Sequence, residues 1–373
     1  MESGITFTSD ERLLDQANFF VVAVPTPIST DYLPDLHFVI GAMGTVGRYL
    51  HKEDVVVLES TVYPGVTEDV CVPVLEKASS MVCGKDFFVG YSPERINPGD
   101  VFHRIDNSAK LVSGMDEQTL SCIRQIYGQA LGNHVVEVAS IRVAEAAKLI
   151  ENVQRDMNIA FVNEIAMLFH RMGMRTSEVL EAAGTKWNFL NFRPGLVGGH
   201  CIGVDSYYLM DCANRYGEPA ELVAAGRQTN ERICHFLVEQ VLHLLGETNL
   251  HAARIGVLGV TFKEDCPDIR NSKIFEVIRV LRQYGVEVLV CDNLADAAAV
   301  KQMYGTDLSD MTDWHDLDGL ILAVPHNAYL AEKVENLLRC LRGGQSKKPF
   351  LMDIKSVMDP REVEAHDVAY WSL

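Results

Sequence analysis

The sequence predicts an α/β protein with two doubly wound parallel sheets and a helical segment between them. Three observations carry that expectation. Residues 1–140 alternate short, continuous apolar runs with helical patterns, residues 141–246 carry helical periodicity with little strand character, and residues 252–373 return to strand–helix alternation. Continuous apolar runs closed by polar loops suit strands buried on both faces of a parallel sheet. A chain of 373 residues suits two or three domains at about 150 residues each.

In the first segment the strand candidates are residues 18–24 (NFFVVAV), 54–58 (DVVVL), 87–89, 110–113 and 134–138. Polar loops close the first three: PTP at 25–27, EST at 59–61 and GYSPE at 90–94. In open parallel sheets ligands bind beyond the carboxyl ends of strands, which is where these loops fall. One long helix is predicted over residues 142–173, with Ala144, Ala147, Leu149, Ile150, Val153, Met157, Ile159 and Ala160 at near-helical spacing. A Gly/Pro-rich loop at 191–203 (NFRPGLVGGHCIG) follows, then a second helical stretch from about Pro219 to Leu245. The last segment offers strands at 254–259, 286–291, 319–324 and 350–354.

Lys plus Arg number 33 and Asp plus Glu 51, a net charge of −18. That balance argues against nucleic-acid or anionic-membrane partners, which demand a basic footprint. Hydrophobic residues are 48% and charged residues 23%, close to a globular average, so global disorder is excluded. The nine cysteines form no C-x-x-C pair, which speaks against a disulfide framework or a zinc ribbon. The polar N-terminal stretch lacks a signal-peptide core, and no apolar run approaches the ~18 residues of a membrane span. The expected location is the cytoplasm. The twelve histidines form no helical H-x-x-x-H pair, so no metal site is expected.

No G-x-G-x-x-G follows a strand. GAMGTVG at 41–47 lies in a helical pattern and reads as packing, and GVLG at 256–259 is only a G-x-x-G. Cys201 sits in GGHCIGVD at 198–205, where the glycines permit close backbone approach and positive φ. A lone cysteine is more often a small buried hydrophobe, and the glycines with nearby Asp205 weigh against that. Lys148, Asn152 and Arg155 share one helix face, suited to an anion or an oxyanion, or else to a solvated face with Glu145 and Glu151 as helical partners. Glu94, Arg95, Thr26 and Thr61 stand at strand ends, where a carboxylate can serve as base and a hydroxyl can meet a ligand or make a turn. Lys263 and Arg270, near a later strand end, can meet phosphates or form a surface charge cluster.

Together these segments resemble the nucleotide-sugar 6-dehydrogenase family, the UDP-glucose/UDP-mannuronate dehydrogenase group, over nearly the whole chain. The resemblance runs through VPTP at 24–27, ESTVYPG at 59–65, YSPERINPGD at 91–100, VAEAAKLIENVQRDMNIAFVNE at 143–164, GTKWNF at 184–189, RPGLVGGHCIGVDSYYL at 193–209 and GVTFKEDCPDIRNSK at 259–273. GTKWNF and RPGLVGGHCIGVD look most like the branch that oxidises UDP-N-acetylglucosamine or UDP-N-acetylgalactosamine for Vi-type capsule or O-antigen synthesis.

The resemblance implies two Rossmann-like doubly wound domains joined by a helical dimerisation domain: NAD binding over residues 1–140, a central domain over 141–246 and UDP-sugar binding over 252–373. It implies NAD as cofactor, a UDP-sugar as substrate and a homodimer or higher homo-oligomer. It also implies a C6 oxidation in which Cys201 captures the aldehyde and carries a thioester. Lys148 with Asn152 would steady the oxyanion, and Asp205 and Glu94 would handle protons or water with Thr61 in support. Thr26, Thr61 and Arg270 would meet NAD. Arg95, Ile96, Lys148, Asn152, Arg155, Arg193, Gly198, Phe262 and Lys263 would hold the substrate. Two departures stand out. The family opens with a strand, a Gly-rich turn and a helix not found here, so the first domain is expected to be N-terminally truncated and weak toward NAD. Ser206 stands where the family usually has Pro. Two other readings remain: a remnant that keeps UDP-sugar but not NAD binding, and a cysteine hydrolase pairing Cys201 with His200. The latter is disfavoured because neighbours in an extended segment face opposite ways.

Overall fold

A computed structural model describes residues 4–96, 102, 104–105, 107–132, 134–246, 249–343 and 348–373. The strands are β1 (Phe19–Val22), β2 (Asp54–Leu58), β3 (Phe87–Tyr91), β4 (Lys110–Gly114), β5 (Val135–Glu137), β6 (Arg254–Leu258), β7 (Glu287–Cys291), β8 (Gly319–Leu322), β9 (Phe350–Asp353) and β10 (Ala369–Ser372). The helices that matter here are α1 (His37–Gly47), α2 (Val72–Ser79), α3 (Glu117–Leu131), α4 (Ile141–Arg171), α5 (Thr176–Gly184), α6 (Ile202–Arg215), α7 (Glu221–Leu245) and α8 (Ile274–Gln283). The chain divides into two compact units, one of residues 1–153 and 204–220, the other of residues 154–203 and 221–373.

The first unit holds a five-stranded sheet in the order β1-β2-β3-β4-β5. Pairing is parallel except between β3 and β4, where Gly90 faces Gly114 in an antiparallel register. The expected all-parallel sheet therefore reverses once. A Cβ at Gly90 would lie 2.6 Å from the Ser113 carbonyl, so glycine lets the two strands approach there. All five residues of β2 are buried, as a central strand covered on both faces demands. One face packs Phe20, Val22, Val56, Leu58 and Phe87 against α1, α2 and the first turns of α4. The other packs Val55, Val57 and Val112 against Ile123 and Tyr127 of α3. GAMGTVG is packing, as read: a Cβ at Gly47 would sit 2.6 Å from the Ala78 Cβ of α2. An incomplete domain was expected here, yet this layer has five strands and a core on both faces.

The second unit carries the order β10-β9-β8-β6-β7, all parallel. Ile255, Val257, Ile321 and Met352 form its core with Leu237 and Val241 of α7 and Val277 and Leu281 of α8. β10 was not anticipated from the sequence. GVLG proves structural: a Cβ at Gly256 would strike Trp314, and Gly259 takes φ +84°, where a Cβ would strike the Val324 carbonyl oxygen.

A Cβ at Gly256 would come within 2.6 Å of Trp314 Cζ3 and 2.9 Å of Leu320 Cδ1. Gly256→Val is therefore expected to overpack this sheet and cost about 1–3 kcal/mol. Urea unfolding at constant m-value measures it, and an unchanged midpoint would refute the packing assignment.

Candidate active site

Within the second unit, the loop after α5 delivers Cys201. Of the glycines flanking Cys201, Gly199 takes the expected positive φ, +83°, while Gly198 and Gly203 do not; Gly195, further back, takes φ +154°. Gly198 serves close approach instead, since a Cβ there would lie 2.6 Å from the Asn271 carbonyl. At Gly199 a Cβ would strike the Phe262 ring at 2.9 Å. Asn271 Nδ2 donates to the Gly199 carbonyl at 3.3 Å. The Cys201 thiol is in no disulfide and is half-buried, one residue ahead of α6. A helix N-terminus favours a thiolate over a thiol. The hydrogen bond to Asp268 raises the Arg270 pKa and holds its guanidinium in the charged form. Arg270 is gripped by Asp268 at 2.6 Å, and His200 Nδ1 lies 3.8 Å from the same carboxylate. His200 thus faces Asp268 from a turn, not from the extended segment expected of it. Phe262 is half-buried with Lys263 Nζ 5.5 Å from its ring centroid, while Arg155 and Arg193 are exposed.

Within the first unit, Lys148, Asn152 and Asp205 come together. Lys148 and Asn152 lie one turn apart on α4, both buried, and Asn152 Nδ2 donates to Asp205 Oδ2 at 2.6 Å. Burial pushes the Asp205 carboxyl up to about 6, against the Asn152 hydrogen bond and the Lys148 charge, which pull it down. Asp205 lies in the first turn of the helix that Cys201 precedes.

Glu94 is exposed and caps its own loop, accepting from the backbone N–H groups of Arg95 at 2.8 Å and Ile96 at 2.6 Å. Arg95 pairs with Glu151 at 2.7 Å and donates to the Ala109 carbonyl. Ile96 is half-buried; residues 97–100 of the same motif lie outside the described residues. Thr26 and Thr61 are half-exposed beyond β1 and β2. Between them Ser60 Oγ donates to the Val24 carbonyl at 2.7 Å and accepts from its N–H at 2.9 Å, tying the two strand ends together.

Three groups escaped the sequence reading. Glu145, read as a helical partner on a solvated face, is fully buried and accepts from Gly65 N–H, Thr67 N–H and Thr67 Oγ1 at 2.6–2.9 Å. Burial raises its carboxyl to about 7, and those three donors oppose the rise. Lys110 opens an apolar strand and pairs with Glu59 at 3.1 Å, with Glu94 at 3.5 Å. A lysine inside a strand-like run was its only signal. Lys355, just past β9, extends over Gly195, where a Cβ would lie 2.7 Å from Nζ, and burial lowers its pKa. Among the described residues no cluster of three or more His, Cys, Asp or Glu side chains could hold a metal, and no helix is long and apolar enough to cross a membrane.

Models of the NAD binding, central and UDP binding domains of the UDP-glucose/GDP-mannose dehydrogenase family match residues 1–131, 142–232 and 256–360. Protein CapL of Staphylococcus aureus is 46% identical over 97% of this chain and 84% of its own length. The UDP-N-acetyl-D-glucosamine 6-dehydrogenase of Salmonella typhi is 45% identical over 95% of this chain and 83% of its own. The structure of UDP-D-ManNAc dehydrogenase from Pyrococcus horikoshii superposes with a TM-score of 0.85 at 27% identity, covering 98% of this chain and 83% of that one. The match over residues 1–131 lends no support to the expectation of a truncated first domain, and it favours the dehydrogenase over the remnant reading. The NAD binding domain is matched across residues 1–131 although no contiguous glycine fingerprint stands there. The chain belongs to the UDP-glucose/GDP-mannose dehydrogenase family.

Proposed function

We propose that this protein carries out the four-electron oxidation of the C6 hydroxymethyl of a UDP-N-acetylhexosamine to the uronic acid, in capsule or O-antigen synthesis. UDP-N-acetylglucosamine is the first candidate, on the likeness to the Salmonella typhi enzyme. The observation that carries the reading is a half-buried thiol, in no disulfide, on a glycine loop one residue ahead of a helix whose first turn holds Asp205.

The first unit's donors fit a dinucleotide. Thr26 and Thr61 offer half-exposed hydroxyls beyond the carboxyl ends of parallel strands, the usual ligand crevice of such sheets. They would hold NAD, with Arg270 assigned to its pyrophosphate. NAD+, when bound, supplies the hydride acceptor for both oxidations at C6. The chain's own residues do the rest. The Cys201 thiolate adds to the C6 aldehyde carbon, and the carbonyl pair becomes an oxyanion. Lys148 and Asn152 donate to that oxygen. Loss of a second hydride leaves a thioester. Water then attacks its carbonyl, the C–S bond breaks, and the thiolate returns with release of the uronate. Asp205 takes and returns protons, and Glu94 with Thr61 orients the water. Arg95, Ile96, Arg155, Arg193, Gly198, Phe262 and Lys263 hold the nucleotide sugar, with Lys148 and Asn152 also touching it.

The protein is also proposed to be cytoplasmic and a homodimer or higher homo-oligomer. Val143, Ile150, Phe161 and Leu168 are all exposed on α4. Their spacings of about two or three helical turns put them on one line, an apolar stripe suited to a second copy.

A coupled assay of NADH release across a panel of UDP-sugars tests the reading directly. Cys201→Ser is expected to lower turnover by about 1,000-fold or more with UDP-sugar binding by calorimetry retained; wild-type rates would remove the thiol from the reaction.

Asp205 carries a raised pKa, so it is protonated below about pH 6 and unable to accept a proton there. The rate profile should therefore fall below about pH 6 in wild type. Asn152→Ala removes a hydrogen bond that lowers this pKa, so its acidic limb should move to higher pH. An unmoved limb would sever Asp205 from the proton transfers.

Ile150→Glu, on the exposed stripe, is expected to halve the mass in sedimentation if the stripe joins two copies. A wild-type mass that is already monomeric would refute that interface.

A further inference from the structure

The second unit contains a buried polar chain that none of the roles above uses. Asn163, on α4, is fully buried, and its carboxamide reads both polar groups of one residue in the Cys201 loop. Gly195 N–H donates to Asn163 Oδ1 at 2.8 Å, and Asn163 Nδ2 donates back to the Gly195 carbonyl at 3.0 Å. Gly195 stands at φ +154°, a backbone state closed to residues with a side chain.

The orientation of that carboxamide is dictated from behind. Asn163 Nδ2 also donates to Asn230 Oδ1 at 2.9 Å. Asn230 Nδ2 in turn donates to Asp156 Oδ1 at 2.7 Å and to the Asp156 carbonyl at 3.0 Å. Arg227 Nη1 donates to the same Oδ1 at 2.7 Å, and its Nη2 reaches Glu231. Lys273 Nζ completes the series on Glu231 Oε2 at 2.5 Å. The two cations hold the carboxylates as pure acceptors. Asn230 must then turn its amino group to Asp156 and its oxygen to Asn163. That leaves Asn163 one consistent setting, with its oxygen on the Gly195 N–H and its amino group on the Gly195 carbonyl. A flipped amide anywhere along the series would bring two donors or two acceptors face to face.

We infer that Asn163 is a positioning residue for Cys201, holding the Gly195 peptide so that the five residues beyond it deliver the thiol in a single place. The inference rests on the reading of Cys201 as the nucleophile. An Asp at 163 keeps the shape and loses the donor, setting carboxylate oxygens against the Gly195 carbonyl and Asn230 Oδ1. Misplacing a reacting atom by about 1 Å can cost about 100-fold in rate.

The test compares wild type, Asn163→Asp and Cys201→Ser in full-length protein, with UDP-N-acetylglucosamine and NAD+ as substrates. For Asn163→Asp, kcat should drop about 100-fold with KM for the nucleotide sugar within about threefold. Amide hydrogen exchange across residues 195–201 should rise at least about tenfold, with exchange in the β6–β9 sheet unchanged. Normal kcat, or a lost kcat with unaltered exchange at 195–201, overturns the inference. Should Asn163→Asp not fold, two measurements still decide. The wild-type Gly195 amide must exchange far more slowly than an open loop. Glu231→Gln, at the solvent end of the series, must lower kcat about tenfold at constant KM. Failure of either overturns it. Wild-type turnover in Cys201→Ser would sink the nucleophile reading alone, since exchange would still report whether Asn163 orders the loop.

Discussion

The hydrogen bond from Asn152 to Asp205 joins residues 53 positions apart on two helices, both side chains buried. A carboxyl so buried stays in the fold only with a donor aimed at it and a cation within reach, and Asn152 and Lys148 supply those. A hydrogen bond to a charged group contributes about 1.5–3 kcal/mol net. Removing its donor costs more, about 3–5 kcal/mol, because an uncompensated buried charge is left behind. Asp205 is therefore pinned to α4 within the first unit.

Buried polar residues recur along α4 in a way that inverts the usual helix. Glu145, Lys148, Asn152, Asp156 and Asn163 are all buried. Their spacings of three, four, four and seven residues keep them on one face. Val143, Ile150, Phe161 and Leu168, on the opposite face, are exposed. Four of the buried polar groups are met from their own unit: Glu145 by the Gly65–Thr67 turn, Asn152 by Asp205, Asp156 by Arg227, Asn163 by Gly195. Such groups are tolerated inside when hydrogen-bonded, and these four find partners in backbone and side chains alike.

The strands were legible because burial on both faces leaves an unbroken apolar run, and β2 has the bounds its sequence suggested. β10 (AYWS) was not, being a four-residue edge strand without an apolar run. The reversal between β3 and β4 was hidden because strand direction leaves no trace in local composition. Cys201 and Asp205 stood out through their glycines and spacing. Glu145 did not, since helical periodicity treats any carboxylate as a solvent group, and only the distant Gly65–Thr67 turn shows otherwise. Lys355 and the Asn163 series were missed for the same reason: their partners are more than 30 residues away.

The inverted faces of α4 also reverse the ordinary rule for how a helix accepts change. On a usual amphipathic helix, exchanging an acid or amide for a similar polar residue is harmless, and apolar positions bear the selective load. On α4 the isosteric exchanges Asn to Asp or Glu to Gln fall on the inward face, where a single misplaced proton breaks a network. A tolerance scan of this helix would thus look like that of a core strand at its polar positions.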